Sequence, residues 1–148
     1  FKPGSVPAPA AERARLLRLA LAAQTRFEVD LQEIERGGIS YTIDTVRDYA
    51  RRFAGAELFW LIGADHVATL PKWREADALA AAVQFIVIPR PGQASATLPA
   101  PFRGVELKGF PLGVSSSQIR ERVKLGRAID GLVPGPVAEA IRNNRLYL

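Results

Sequence analysis

The chain contains no cysteine, so disulfides and thiolate metal sites are excluded. It has a single histidine, His66, which argues against a His-based metal cluster and against a Ser/His nucleophilic pair. No uninterrupted apolar run is long enough to span a bilayer. The opening residues, Phe1-Lys2-Pro3-Gly4, carry no signal-peptide apolar region. The location expected from this is cytoplasmic, with no membrane partner. Methionine is missing even from the first position. That predicts a processed product or a fragment of something longer. What is present suits one domain over residues 1–148, with a proper core. The net charge of +5 fits an anionic small molecule or a loosely held nucleic acid and decides between neither.

Strands and helices alternate along the sequence. Residues 3–11 are rich in proline and alanine and read as a loop. A helix is predicted over 11–24, with Ala14, Leu17, Ala20 and Leu21 as its apolar stripe. Residues 27–30 look β-like, and Gly37-Gly38 is a turn. Ile43, Val46, Ala50 and Phe53 are spaced as one face of a second helix, closed by Gly55. The apolar runs 58–62 and 83–88 read as strands buried on both faces, and 105–107 as a third short strand. A helix is expected over 75–82, and a last one behind Pro136, with Val137, Ala140 and Ile141 inward. Residues 93–104 read as a surface loop. The fold class is α/β, a parallel sheet with helices on both faces. Ligands of such sheets sit beyond the carboxyl ends of the strands.

The most informative stretch is Val114-Ser115-Ser116-Ser117-Gln118-Ile119-Arg120, behind the turn residues Gly109, Pro111 and Gly113. Consecutive hydroxyls run into a helical pattern stopped by Gly126. Ser115 and Gln118 have capping-box spacing. The free N–H groups of the first turn, the hydroxyls and the dipole make an anion site, and Arg120 adds a fork that fits phosphate. The plainer reading is an ordinary cap with a solvated arginine.

Four further segments bear on that choice. In Ser40-Tyr41-Thr42-Ile43-Asp44-Thr45, Ser40 or Thr42 can cap a helix whose free N–H groups could hold a polar ligand edge. Gly63-Ala64-Asp65 follows the strongest strand, where Gly63 permits a sharp turn or a close backbone approach and Asp65 puts a carboxylate at the sheet rim. His66 beside it has no obvious partner and reads as a helix-start or surface residue. Trp73, in Leu70-Pro71-Lys72-Trp73-Arg74, is either core or a stacking platform, and Trp60 is the better core residue. Arg90, in Pro89-Arg90-Pro91-Gly92, ends the next strand at the same rim.

In this order the motifs resemble those of bacterial nicotinate-nucleotide adenylyltransferases, nucleotidyltransferases with a Rossmann-like fold. Phe1-Lys2-Pro3 is similar to the family's Pro-His-Lys loop, and the resemblance runs to Leu146-Tyr147. Ser40-Tyr41-Thr42 with Thr45 matches Ser-Tyr-Thr-x-x-Thr, and residues 61–65 match Ile-Ile-Gly-x-Asp. Lys72-Trp73-Arg74 matches the loop tryptophan, Arg90-Pro91-Gly92 matches Arg-Pro-Gly, and residues 114–120 match Ile-Ser-[Ser/Ala]-Thr-x-Ile-Arg. The resemblance implies that nicotinate mononucleotide attacks the α-phosphate of ATP, releasing deamido-NAD and pyrophosphate in NAD biosynthesis. It also implies Mg2+ carried with the triphosphate and no protein metal site. Trp73 would stack on the nicotinate ring, and the backbone at Thr42 and Trp73–Arg74 would receive its carboxylate. Asp65 and Arg90 would contact substrate. Ser115, Ser116, Ser117 and Arg120 would hold ATP phosphates, with Arg120 catalytic. No nucleic-acid partner is implied, and a homo-oligomer is left open.

Two departures from the family pattern stand out. Ser117 replaces a threonine and keeps its hydroxyl. The N-terminal Gly-x-Phe-Asp-Pro-x-His-x-Gly-His is absent, and with it a first strand, first helix and second strand, about 30–45 residues for such a unit. The expectation is therefore an N-terminally truncated domain with little turnover by itself and marginal stability. Two alternatives remain. One is a related adenylyltransferase acting on nicotinamide mononucleotide or phosphopantetheine. The other is a non-catalytic nucleotide- or RNA-binding module, against which the scattered basic residues count.

Overall fold

A computed structural model describes residues 7–89, 91–92, 97–108 and 113–148. In chain order the elements are α1 (Ala10–Leu21), α2 (Gln32–Arg36), α3 (Thr42–Arg52), β1 (Phe59–Gly63), a 3-10 helix (Ala64–Lys72), α4 (Ala76–Ala82), β2 (Gln84–Ile88), β3 (Gly104–Glu106), α5 (Ser116–Lys124) and α6 (Gly135–Asn143). They form two compact units, residues 36–113 and residues 1–35 with 114–148.

The unit from Arg36 to Gly113 holds a three-stranded parallel sheet in the order β1-β2-β3. Trp60 pairs with Phe85 and Ile62 with Val87, so these four side chains share one face. Phe85 and Val87 are fully buried there with Ile43 and Val46 of α3, Leu70 of the 3-10 helix and Leu79 of α4. Phe102 meets Phe85 edge-on, with centroids 5.5 Å apart. Phe85→Ala would cost about 3–5 kcal/mol as a cavity at this centre. The opposite face differs from the expectation of strands buried on both sides. Phe59 is 51% and Leu61 56% exposed, and Ile88 and Val105 are also exposed. β1 lies at the edge of the sheet, and its continuous apolar run did not reveal that only alternate residues would be covered.

Two helix stripes also need correction. In α3 the buried residues are Ile43, Thr45 and Val46, whereas Ala50 is exposed and Phe53 is half-exposed. Phe53 stacks on Tyr49 at 6.0 Å and lies under the Arg52 guanidinium, so its ring finds partners at the helix end and not in the core. Buried Thr45 accepts from Arg36 at 3.5 Å, and Arg36 also pairs with Asp48 at 2.7 Å.

The second unit packs α1 on α6. Its core is Ile119 of α5, Ile129, and Val137, Ala138 and Ile141 of α6. α1 stops at Leu21, three residues early, and presents Leu16, Leu19 and Ala20 to this core, while Leu17 is 54% exposed. The segment 27–30 forms no strand. Its Asp30 carboxylate accepts from the backbone N–H of Gln32 at 2.9 Å and from that side chain at 3.2 Å, starting the unforeseen helix α2. Among the described residues no helix is long and apolar enough to cross a membrane.

Candidate functional site

The first cluster lies in the unit 36–113, where the chain leaves the carboxyl end of β1. Gly63 has φ −74, an ordinary extended backbone, so the sharp glycine turn foreseen there is not used. The chain enters the 3-10 helix directly, placing Asp65 and His66 in its first turn. Both side chains are well exposed, with His66 Nε2 3.9 Å from Asp65 Oδ2. Trp73 ends this helix, and its backbone N–H donates to the Leu70 carbonyl at 3.0 Å.

Trp73 is half-buried against the sheet core, and its indole is tied to the helix behind it. Its Nε1–H donates to Thr69 Oγ1 at 3.3 Å, and the Thr69 hydroxyl donates to the His66 carbonyl at 2.7 Å. The His66 ring meets the indole edge-on at 6.3 Å. The histidine that lacked a visible partner in the sequence thus has two, Trp73 and Asp65.

The start of α3 is held against the same segment. Tyr41 is its cap residue, and neither Ser40 nor Thr42 caps it as expected. Tyr41 makes no side-chain cap bond. Its ring lies beneath the Arg74 guanidinium at 4.5 Å, a cation–π contact. The first N–H groups of α3 have no acceptor within the helix, and Asp44 in the first turn suits the dipole as expected. Beside Arg74, Glu75 adopts the left-handed backbone (φ 51) and caps α4. Arg47 clamps its carboxylate with bonds of 3.0 and 2.5 Å. This pairing holds the Glu75 carboxyl below and the Arg47 guanidinium above their ordinary pKa values.

Thr42, Asp65, Trp73 and Arg74 therefore belong to contiguous segments linked by two ring contacts, Tyr41–Arg74 and His66–Trp73. Arg90 and Phe1-Lys2-Pro3 lie outside the described residues. Tyr41 and Thr69 were not singled out as site residues. The four-residue spacing of Thr69 from Trp73 was the available signal for the latter.

The second cluster is in the other unit. Ser115 caps α5 in a full capping box with Gln118, as the spacing predicts. Ser116 and Ser117 open the helix, and Arg120 Nη2 donates to Ser117 Oγ at 3.4 Å. Ser116 and Arg120 line a cavity of about 420 Å³ that Ile119, Val137 and Tyr147 also line. Arg13 of α1 lines it too and adds a second cation. A helix start with exposed serines and a half-buried arginine provides N–H, O–H and guanidinium donors of the kind that bind phosphate oxygens.

The family model that matches residues 2–122 is described as cytidylyltransferase-like, and the chain is a nucleotidyltransferase. Among curated proteins, the chain is 38% identical to a probable nicotinate-nucleotide adenylyltransferase of Opitutus terrae, over 99% of this chain and 76% of that protein. It is 40% identical to nicotinate-nucleotide adenylyltransferase of Bacillus subtilis, over 91% of this chain and 70% of that protein. The chain belongs to the nicotinate-nucleotide adenylyltransferase family. Among solved structures, the nicotinic acid mononucleotide adenylyltransferase of Plasmodium falciparum complexed with NaAD has the same fold, with a TM-score of 0.73 at 14% identity over 99% of this chain and 78% of that one.

Proposed function

We propose that this chain carries the adenylyl-transfer chemistry after which its relatives are named: nicotinate mononucleotide and ATP give deamido-NAD and pyrophosphate. The observation that carries this reading is the 38–40% identity to those relatives over nearly the whole chain. A phosphate oxygen of the mononucleotide attacks the α-phosphorus of ATP, one P–O bond forms, and the bond to the β-phosphate breaks. Such an in-line displacement needs positioning and charge neutralisation above all.

In this proposal the nicotinate ring stacks on Trp73, and its carboxylate is received by the N–H groups at the start of α3 around Thr42 and by the Trp73–Arg74 backbone. The uncapped start of α3 and the half-buried indole support these roles. Asp65 and Arg90 contact substrate. Ser115, Ser116, Ser117 and Arg120 hold ATP phosphates, and Arg120 stabilises the charge that develops as pyrophosphate leaves. We assign magnesium to the triphosphate. Among the described residues no group of three or more His, Cys, Asp or Glu side chains could hold a metal ion. The working location is the cytoplasm.

Calorimetric titration with nicotinate mononucleotide and, separately, nicotinamide mononucleotide tests the reading. The acid is expected to bind selectively, and Trp73→Ala to abolish that binding. Equal binding of acid and amide, or binding indifferent to Trp73→Ala, would overturn it.

A further inference from the structure

Trp73 carries a hydrogen-bond chain that stacking alone does not need. An indole on a half-exposed helix end can rotate about its side-chain torsions, and each extra orientation lowers the fraction of molecules with the ring face set for a flat ligand. Here the indole N–H is bonded to Thr69 Oγ1 at 3.3 Å, and the threonine hydroxyl is itself oriented by donating to the His66 carbonyl at 2.7 Å. Thr69 lies on the 3-10 helix, four residues before Trp73, which caps that helix, so the chain closes locally. The His66 ring closes a second side of the indole at 6.3 Å and 70°.

We infer that Thr69 is a positioning residue for ligand binding: its hydroxyl fixes the Trp73 indole in the orientation that accepts the substrate's aromatic ring. This rests on the proposed nicotinate site. Thr69 is exposed and has no part in either hydrophobic core, so replacing its hydroxyl leaves the fold intact. Thr69 touches no reacting atom, so its loss acts on ground-state binding and raises KM with little change in kcat.

The test compares the wild-type chain with Thr69→Val, which keeps the shape and removes the hydroxyl, and with Thr69→Ser, which restores it. Each is titrated with nicotinate mononucleotide while tryptophan emission is followed, with Trp73→Phe identifying the signal from that residue. Loss of one neutral hydrogen bond predicts about fivefold weaker binding for Thr69→Val. The emission of its free Trp73 should change and become easier to quench with acrylamide. Thr69→Ser should return both towards wild type. Wild-type quenching with unchanged affinity in Thr69→Val overturns the inference alone, as does a weakened Thr69→Val that Thr69→Ser fails to rescue. No nicotinate-dependent quenching in the wild-type chain overturns the stacking reading beneath it, and this inference with it.

Discussion

Ser115 and Gln118 satisfy each other's backbone. The Ser115 hydroxyl accepts from the Gln118 N–H at 3.2 Å, and the Gln118 side-chain oxygen accepts from the Ser115 N–H at 2.8 Å. The three serines are therefore not equivalent. Ser115→Ala should cost about 1 kcal/mol of stability, the usual loss for a helix cap. Ser116→Ala removes no such bond and should leave the melt unchanged while weakening the binding of ATP. Thermal melts with and without ATP check both. Equal destabilisation by the two variants would show that the box does not hold α5.

Gly104 cannot be replaced without moving a strand. A Cβ built there would lie 1.9 Å from the Phe85 carbonyl oxygen, a backbone atom of the central strand. Gly104→Ala should push β3 off β2 and cost about 3 kcal/mol or more. A urea titration reads this directly, and a loss below about 1 kcal/mol would contradict it.

Arg145 should be improved by glycine. It follows α6 with φ 49, and its N–H reaches the Arg142 carbonyl at 3.1 Å while the Leu146 N–H reaches Ile141 at 3.0 Å. That is the Schellman pattern, which favours glycine at this position. The same pattern after α5 uses Gly126, with φ 63. A left-handed non-glycine residue costs about 1–2 kcal/mol, and the added freedom of glycine in the unfolded chain offsets about 0.4–1 kcal/mol. Arg145→Gly should therefore raise Tm by about 2–4 °C. A lowered Tm would mean that the arginine side chain makes a compensating contact.

The Arg47–Glu75 clamp should show in the acid limb of stability. The hydrogen bond from Arg47 is the main cause that lowers the Glu75 pKa from its ordinary 4.5. A folded value below the unfolded one contributes stability that is fully present above pH 4.5 and is lost as pH falls through the folded value. The pair is exposed, so the effect is small and screened by salt. Arg47→Gln should flatten this part of the Tm–pH curve at low salt and change little at high salt. Identical curves at low salt would remove the clamp from any account of stability.

Local signals carried much of this molecule. Strands β2 and β3, helix α4, the α5 capping box and Pro136 in the first turn of α6 all stand within a residue or two of where apolar runs and caps put them. What misled was local pattern without its tertiary partner. Leu58–Ile62 reads as an all-buried strand because its residues are all apolar, but the helices pack only on the face of Trp60 and Ile62. Leu17 fits a helical stripe as well as Leu16 does, and only the position of the core selects between them. In the candidate site, Trp73 was legible as a residue type. Its fixing by Thr69 and the seat of Arg74 on Tyr41 depend on where a 3-10 helix brings side chains, which no motif spells out.

The packing of α1 on α6 sets an order of events during synthesis. α1 is complete at Leu21, and α6 begins only at Gly135, behind the whole segment that makes the parallel sheet. At about 5–20 residues per second, the wait is on the order of ten seconds. Through that interval α1 has made its helix-forming sequence but lacks the surface that retains it, since a helix of twelve residues is marginal alone in water. The sheet unit can close on the ribosome first. A helix made before the sheet is among the last elements to find its place.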